Sequence, residues 1–307
     1  MVRLIDLITF DLDGVLIQNP FRRGVFPHVC RILAPYVTAA RDRAQQAQTS
    51  AGAKTDERQV GCVTEDPATD VMRFIIEEAK RRLLEGRFVE AYDWDDIVAR
   101  VAADLSIRAG ASSTPRLDVA GLVRYYCEVP GMVSLLPEAR EVLSSLHENG
   151  YVLSVITNGY RRYQLPVLQA LGIEHFFDMV ITPEEVNATK PQPQIFRSAW
   201  SGRLAPLHVG DDLIHDAWGA RTAGGYSVWL HRNLPDGLRR KLPEQRPLCN
   251  EFAYVRDDAF NRVMAKEAYG VPATVCTPHA VIETLGELPD LLRRLEGSGS
   301  LACSNEL

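Results

Sequence analysis

Two regimes of hydrophobic and polar positions divide this chain. From about residue 136 onward, short apolar runs alternate with stretches of helical spacing. After Pro137, EAREVLSSLHENG carries Val142, Leu143 and Leu146 on one helical face and stops at Gly150. YVLSVIT then reads as a strand, and RRYQLPVLQALG as a helix that Pro166 should bend or delay. FFDMVIT is the next strand, PQIFRSAW a helix, LHVG a strand, LIHDAWGARTAGG a helix with a glycine stop, and YSVWL a fifth strand. At the start of the chain, Leu4 to Phe10 is a mostly apolar run, as expected of a strand covered on both faces. This alternation predicts an α/β core, a Rossmann-like doubly wound parallel sheet.

Residues 17–135 follow a different rule and predict a helical cap domain inserted into that core, which comprises 1–16 and 136–296. Val71, Met72, Ile75, Ile76, Ala79, Leu83 and Leu84 mark an amphipathic helix. Asp93-Trp94-Asp95-Asp96-Ile97 opens another, and Leu117 to Tyr126 a third. The polar stretch 41–70, rich in small residues, predicts a mobile loop. Phe21, Phe26, Tyr125 and Tyr126 read as cap core. Within the core, 232–271 stands out as an insertion, expected to form a side lobe or subunit contact near the carboxyl ends of the strands. Leu285, Leu288, Leu291 and Leu292 predict a final helix, and 297–307 a frayed tail.

Composition narrows the classes. With 307 residues, 46% hydrophobic and 24% charged, the chain has the make-up of a globular protein with a large core. A net charge of −6 argues against a nucleic-acid-binding face, though a local cationic site for an anionic small molecule is compatible with it. Six cysteines without a Cys-x-x-Cys pair give no zinc site. No run approaches the length of a membrane span, and no signal-peptide pattern is visible, so a cytoplasmic protein with no membrane partner is expected.

Ligands of such sheets bind beyond the carboxyl ends of the strands, and four strand ends carry polar residues. The first ends in Asp11-Leu12-Asp13 and the second in Thr157-Asn158-Gly159. Lys190-Pro191-Gln192-Pro193 follows the third, and the fourth ends in Gly210-Asp211-Asp212, with Asp216 five residues past Asp211. Each has a plain structural reading alone: Asp and Gly end strands in turns, and a lone lysine is usually solvated. Four in order are another matter. The set VITNG, KPQPQIF and GDDLIHDAWGA, after the Asp-Leu-Asp of the first strand, resembles the haloacid dehalogenase (HAD) superfamily, in its phosphatase-rich branch with a helical cap.

The resemblance implies a Mg²⁺-dependent phosphatase acting on a small phosphorylated metabolite. Asp11 would be the nucleophile, forming an aspartyl-phosphate, and Asp13 the general acid/base. Residues two apart in extended chain point the same way, so both can face one pocket. Asp11, the main-chain carbonyl of Asp13, and Asp211 would hold the metal, whose hard character suits oxygen donors. Asp212 and Asp216 are candidates for supporting it. Thr157, Asn158 and Lys190 would bind the substrate phosphate. An acid at position 13 also separates phosphoester chemistry from dehalogenation, because a leaving alkoxide needs a proton. A phosphomutase is the nearest alternative and a non-catalytic phosphoryl-ligand binder the alternative from another class. A phosphonate-cleaving reaction would need a cap lysine, and only Lys54 and Lys80 stand in that segment. Oligomeric state is not legible.

Overall fold

The computed structural model describes residues 5–50, 66–203 and 205–298. The chain divides into two compact units, Met1–Asn19 with Val133–Leu307, and Pro20–Met132. The crossings lie at 19/20 and 132/133 rather than at 16/17 and 135/136. The reason is a two-stranded antiparallel pair, Ile17–Gln18 with Ser134–Leu135, that keeps both chain segments with the first unit.

Strands are numbered here in chain order: β1 (Leu7–Phe10), β2 (Ile17–Gln18), β3 (Ser134–Leu135), β4 (Val152–Ile156), β5 (Met179–Ile181), β6 (Leu207–Gly210), β7 (Tyr226–Leu230) and β8 (Ala280–Ile282). Six of them form one parallel sheet in the order β5-β4-β1-β6-β7-β8. The chain runs outward from β1 through β4 to β5, then returns to the other side of β1 at β6. That reversal is the switch point of a doubly wound fold. All four residues of β1 are buried, as are those of β6, so side chains on both faces are covered.

Helices Ala139–Glu148, Arg161–Ala170 and Pro193–Trp200 lie where the periodicity places them. Val142, Leu143 and Leu146 are buried, and Ile195, Phe196, Ala199 and Trp200 share a core cluster with Leu7 and Ile156. Pro166 sits inside its helix without delaying the start at Arg161. The stretch after β6 opens as a wide π-helical turn, Leu213–Trp218, before the short helix Gly219–Ala223.

Two further features of this unit depart from the sequence expectation. β8 is a sixth strand where only five are visible in the pattern. Three residues, AVI, are too short for a periodicity, and β8 exists because its backbone completes the edge of β7. The segment 232–271 folds back on this unit rather than standing away from it. Leu234, Leu238 and Phe252 are buried in one cluster with Leu213, Ile214, Ala217, Trp229 and Val281. Arg246, 2% exposed, donates to the carbonyls of Leu238, Arg239 and Val281 and pairs with Glu287, tying the segment to β8 and the chain beyond it.

The second unit holds helices Phe26–Ser50, Pro67–Leu84, Trp94–Ala109 and Val119–Glu128. The expected loop at 41–70 begins as helix: residues 41–50 continue the first helix, with most of their side chains exposed. Arg, Ala and Gln are strong helix formers, and they keep a solvated helix going where amphipathic spacing is absent. The loop's middle, 51–65, with Lys54, lies outside the described residues. Asp66 then caps the next helix through the amides of Ala68 and Thr69, with Pro67 at its first position. Lys80 is exposed. Phe21 is buried 5.1 Å from the Phe26 ring, but Tyr125 is 57% exposed and does not belong to that core. The last helix, Leu288–Ser298, takes in the first two residues of the expected tail, and the rest of the tail lies outside the described residues. No described helix is long and apolar enough to cross a membrane.

Candidate active site

Asp11, Thr157 and Asp211 are each the first residue beyond a strand, at the ends of β1, β4 and β6. These three strands are neighbours, and Phe10 is level with Val155 on one side and Val209 on the other. The ladder continues one step further on the β6 side, where the Asp11 amide donates to the Val209 carbonyl at 2.9 Å. Residues 200 positions apart in sequence therefore meet because the sheet is parallel and in register. The Trp229 indole donates to the main-chain carbonyl of Asp211 at 2.8 Å and fixes that strand end from β7.

Lys190 lies at the centre. Its Nζ donates to Asp11 Oδ1 and to Asp216 Oδ1, both at 2.6 Å, and the side chain is 3% exposed. Beneath it, His208 Nε2 lies 3.0 Å from Asp216 Oδ1, and His208 Nδ1 lies 2.9 Å from Thr9 Oγ1. Burial holds His208 below the usual imidazole range, so the ring is neutral. A neutral ring that donates to Asp216 through Nε2 leaves Nδ1 an acceptor facing the Thr9 hydroxyl, whose single proton also lies within reach of the Leu207 carbonyl at 3.1 Å. Burial penalises the Lys190 ammonium, but Asp11 and Asp216 outweigh it and hold the group charged. For Asp11, burial pushes the carboxyl up to about 7 against the pull of Lys190. Asp216 goes the other way: Lys190 and His208 overcome burial and hold it well below the carboxylate range.

One carboxylate oxygen from each of Asp11, Asp211 and Asp216 lies within 4.8 Å of the others. Burial and the neighbouring carboxylates raise the Asp211 carboxyl well above its usual range, a crowding that a cation would relieve, and all the donors are hard oxygens. That set fits a small divalent cation such as Mg²⁺. The hydrogen bonds separate the roles. Both Asp216 oxygens are engaged, Oδ1 by Lys190 and His208, and Oδ2 by the Asp212 amide at 3.0 Å. Among the described residues, neither Asp211 carboxylate oxygen takes a hydrogen bond, and the one to the Asp11 carboxylate falls on Oδ1 and not on Oδ2. The chain just after Asp13 lies against Asp211: a Cβ on Gly14 would stand 2.1 Å from Asp211 Oδ2, and Gly14 has φ +83°. Only glycine fits that position.

The Asp13 carboxyl accepts from Gln164 Nε2 at 2.9 Å through Oδ2. Burial raises this carboxyl, against hydrogen bonds from Gln164 and Asn19. Thr157 is buried, and its Oγ1 accepts from the Gly159 amide at 3.0 Å, shaping the turn. The Asn158 side chain clamps Lys190: Oδ1 accepts from the Lys190 amide at 2.7 Å and Nδ2 donates to its carbonyl at 3.2 Å. Its amide group is thus committed to holding the lysine loop. Asp212 caps the turn after β6 through the amides of Ile214 and His215 and pairs with His215, so it points away from the carboxylate cluster. His215 also meets Tyr269 Oη at 2.9 Å, linking this turn to the 232–271 segment. Arg161 pairs with Glu185, and Arg162 lies over the Tyr160 and Tyr163 rings.

Sequence reasoning missed His208, Gln164 and Arg232. His208 is a polar residue in an otherwise apolar strand, which is a readable signal of a buried partner. Gln164 sits on the buried face of its helix and carries the same signal. Arg232 gives none: its guanidinium reaches the carbonyls of Gly14 and Val15 only because β7 ends beside the first loop.

Residues 5–224 match the family model described as haloacid dehalogenase-like hydrolase. A glyceraldehyde 3-phosphate phosphatase of Methanopyrus kandleri is 35% identical over 145 residues, covering 46% of this chain and 62% of that protein. A phosphoserine phosphatase of Thermus thermophilus is 38% identical over 117 residues, 37% of this chain and 45% of that protein. The chain spans about half the length of the curated relatives it matches. In fold, it is similar to a HAD phosphatase from Thermococcus onnurineus, with a TM-score of 0.51 at 20% identity, covering 94% of this chain and 98% of that one. With carboxylates and a lysine gathered at the strand ends and the family model matched over most of its length, the chain belongs to the haloacid dehalogenase-like hydrolases.

Proposed function

We propose that this protein is a Mg²⁺-dependent phosphatase that hydrolyses a small phosphorylated metabolite through an aspartyl-phosphate on Asp11. The observation that carries the reading is the buried Asp11–Lys190–Asp216 array beside Asp211. It offers a carboxylate with one free oxygen, a fixed positive charge and a hard-oxygen site together. The names of the phosphatase relatives support the same class of reaction.

Asp11, Asp211 and the Asp13 carbonyl would hold the metal, with Asp216 fixing Lys190 behind them. When bound, Mg²⁺ supplies the charge neutralisation that lets a carboxylate approach a dianionic phosphate. Asp11 attacks phosphorus through Oδ2 while Lys190 holds Oδ1, which orients the carboxylate. Lys190 and the Thr157 turn place positive charge and donors near the phosphoryl oxygens. Asp13 gives its proton to the leaving oxygen, then takes one from the water that attacks the aspartyl-phosphate.

The test is turnover of p-nitrophenyl phosphate with Mg²⁺, with a chelator, and by Asp11→Asn. Chelation and the substitution should each remove activity, the latter by about 10³-fold or more. Metal-independent turnover by Asp11→Asn would overturn the mechanism. Stabilisation by phosphorylated ligands without any turnover would make the protein a binder instead.

A further inference from the structure

Gln164 is a polar side chain only 3% exposed, on a helix that follows the Thr157-Asn158-Gly159 turn. Burying an amide is costly unless its hydrogen bonds are met. Its Nε2 donates to Asp13 Oδ2 at 2.9 Å, whereas its Oε1 is buried without a partner. The turn makes room for it: a Cβ on Gly159 would stand 2.0 Å from Gln164 Nε2. Asp13 Oδ1 is likewise buried and has no hydrogen-bond partner among the described residues. Gln164 thus holds Oδ2, Asn19 adds a second hydrogen bond to the same carboxyl, and Oδ1 takes none among the described residues, an arrangement that suits a proton donor at a reacting atom.

We propose that Gln164 is the positioning residue for Asp13, gripping Oδ2 so that Oδ1 is presented to the leaving-group oxygen. The inference rests on the phosphatase reading above. As the ester P–O bond breaks and the phosphoryl group passes to the Asp11 carboxylate, the proton on Asp13 Oδ1 moves to the departing oxygen. Asp13 is left as a carboxylate that still accepts from Gln164.

The experiment measures kcat/KM with Mg²⁺ for 2,4-dinitrophenyl, p-nitrophenyl and phenyl phosphates. This constant covers binding through phosphoryl transfer and leaves out hydrolysis of the aspartyl-phosphate, and the three leaving groups differ in how much they need a proton. Gln164→Met, and independently Gln164→Leu, should show a deficit at least about ten-fold larger on phenyl phosphate than on dinitrophenyl phosphate. Asp13→Ala should show the same gradient, and adding Gln164→Met to it should cost little more, because the two residues act as a unit. An equal deficit on all three substrates, or losses that multiply in the double variant, would overturn the positioning role. Wild-type protein inactive on all three would overturn the phosphatase reading, and this inference with it.

Discussion

Asp216 carries more of the site's cohesion than its place five residues after Asp211 suggests. Its Oδ1 accepts from Lys190 and His208, and its Oδ2 from the Asp212 amide, all in a side chain 2% exposed. Removing one partner of a buried ion pair leaves the other charge uncompensated. Asp216→Asn should therefore destabilise the fold by about 3 kcal/mol, read from urea unfolding of the variant beside wild type. A loss below about 0.5 kcal/mol would show the array to be dispensable for stability.

At the scale of elements, the 232–271 segment behaves as part of the core it follows. Phe252, 2% exposed, packs edge-on against Trp229 with ring centroids 6.1 Å apart, and the same Trp229 anchors the Asp211 carbonyl. The helix that carries Phe252 thus supports a strand end of the site through one shared aromatic. Phe252→Ala should cost about 3–5 kcal/mol, measured by chemical denaturation. A cost under about 1 kcal/mol would mean that this helix is only loosely seated.

For the whole molecule, pH sets stability through histidines held neutral by the fold. Burial, then the charge of Arg221, lowers His279 from 6.5 to about 4. The Ser227 amide donates to His279 Nδ1 at 3.0 Å, occupying the lone pair a proton would need. A depressed folded value means stability that is complete above about pH 6.5 and is lost as pH falls through about 4. His279 should account for about 2 kcal/mol of that loss. Urea unfolding of wild type and His279→Gln at pH 7.5 and 4.5 tests this. The variant should lose less stability between the two conditions, and an equal loss would refute the assignment.

Read alone, the sequence carries what is periodic or local. Alternating strand and helix spacing implied the α/β core, and polar residues at strand ends marked Asp11, Asp13, Thr157, Lys190 and Asp211. Helix continuation at 41–50 was missed because an all-polar stretch can be helical by propensity, without the amphipathic stripe that periodicity detects. The three-residue β8 was missed because its stability comes from pairing with β7. Which polar groups face one another follows from packing. It put Asp216 under Lys190, His208 under Asp216, and Gln164 against Asp13, pairs separated by 26, 8 and 151 positions. It also committed the Asn158 side chain to the lysine loop and turned Asp212 into a cap. A carboxylate's role depends on which donors reach its two oxygens, and those donors are brought by sheet register and loop closure, neither of which is written in local spacing.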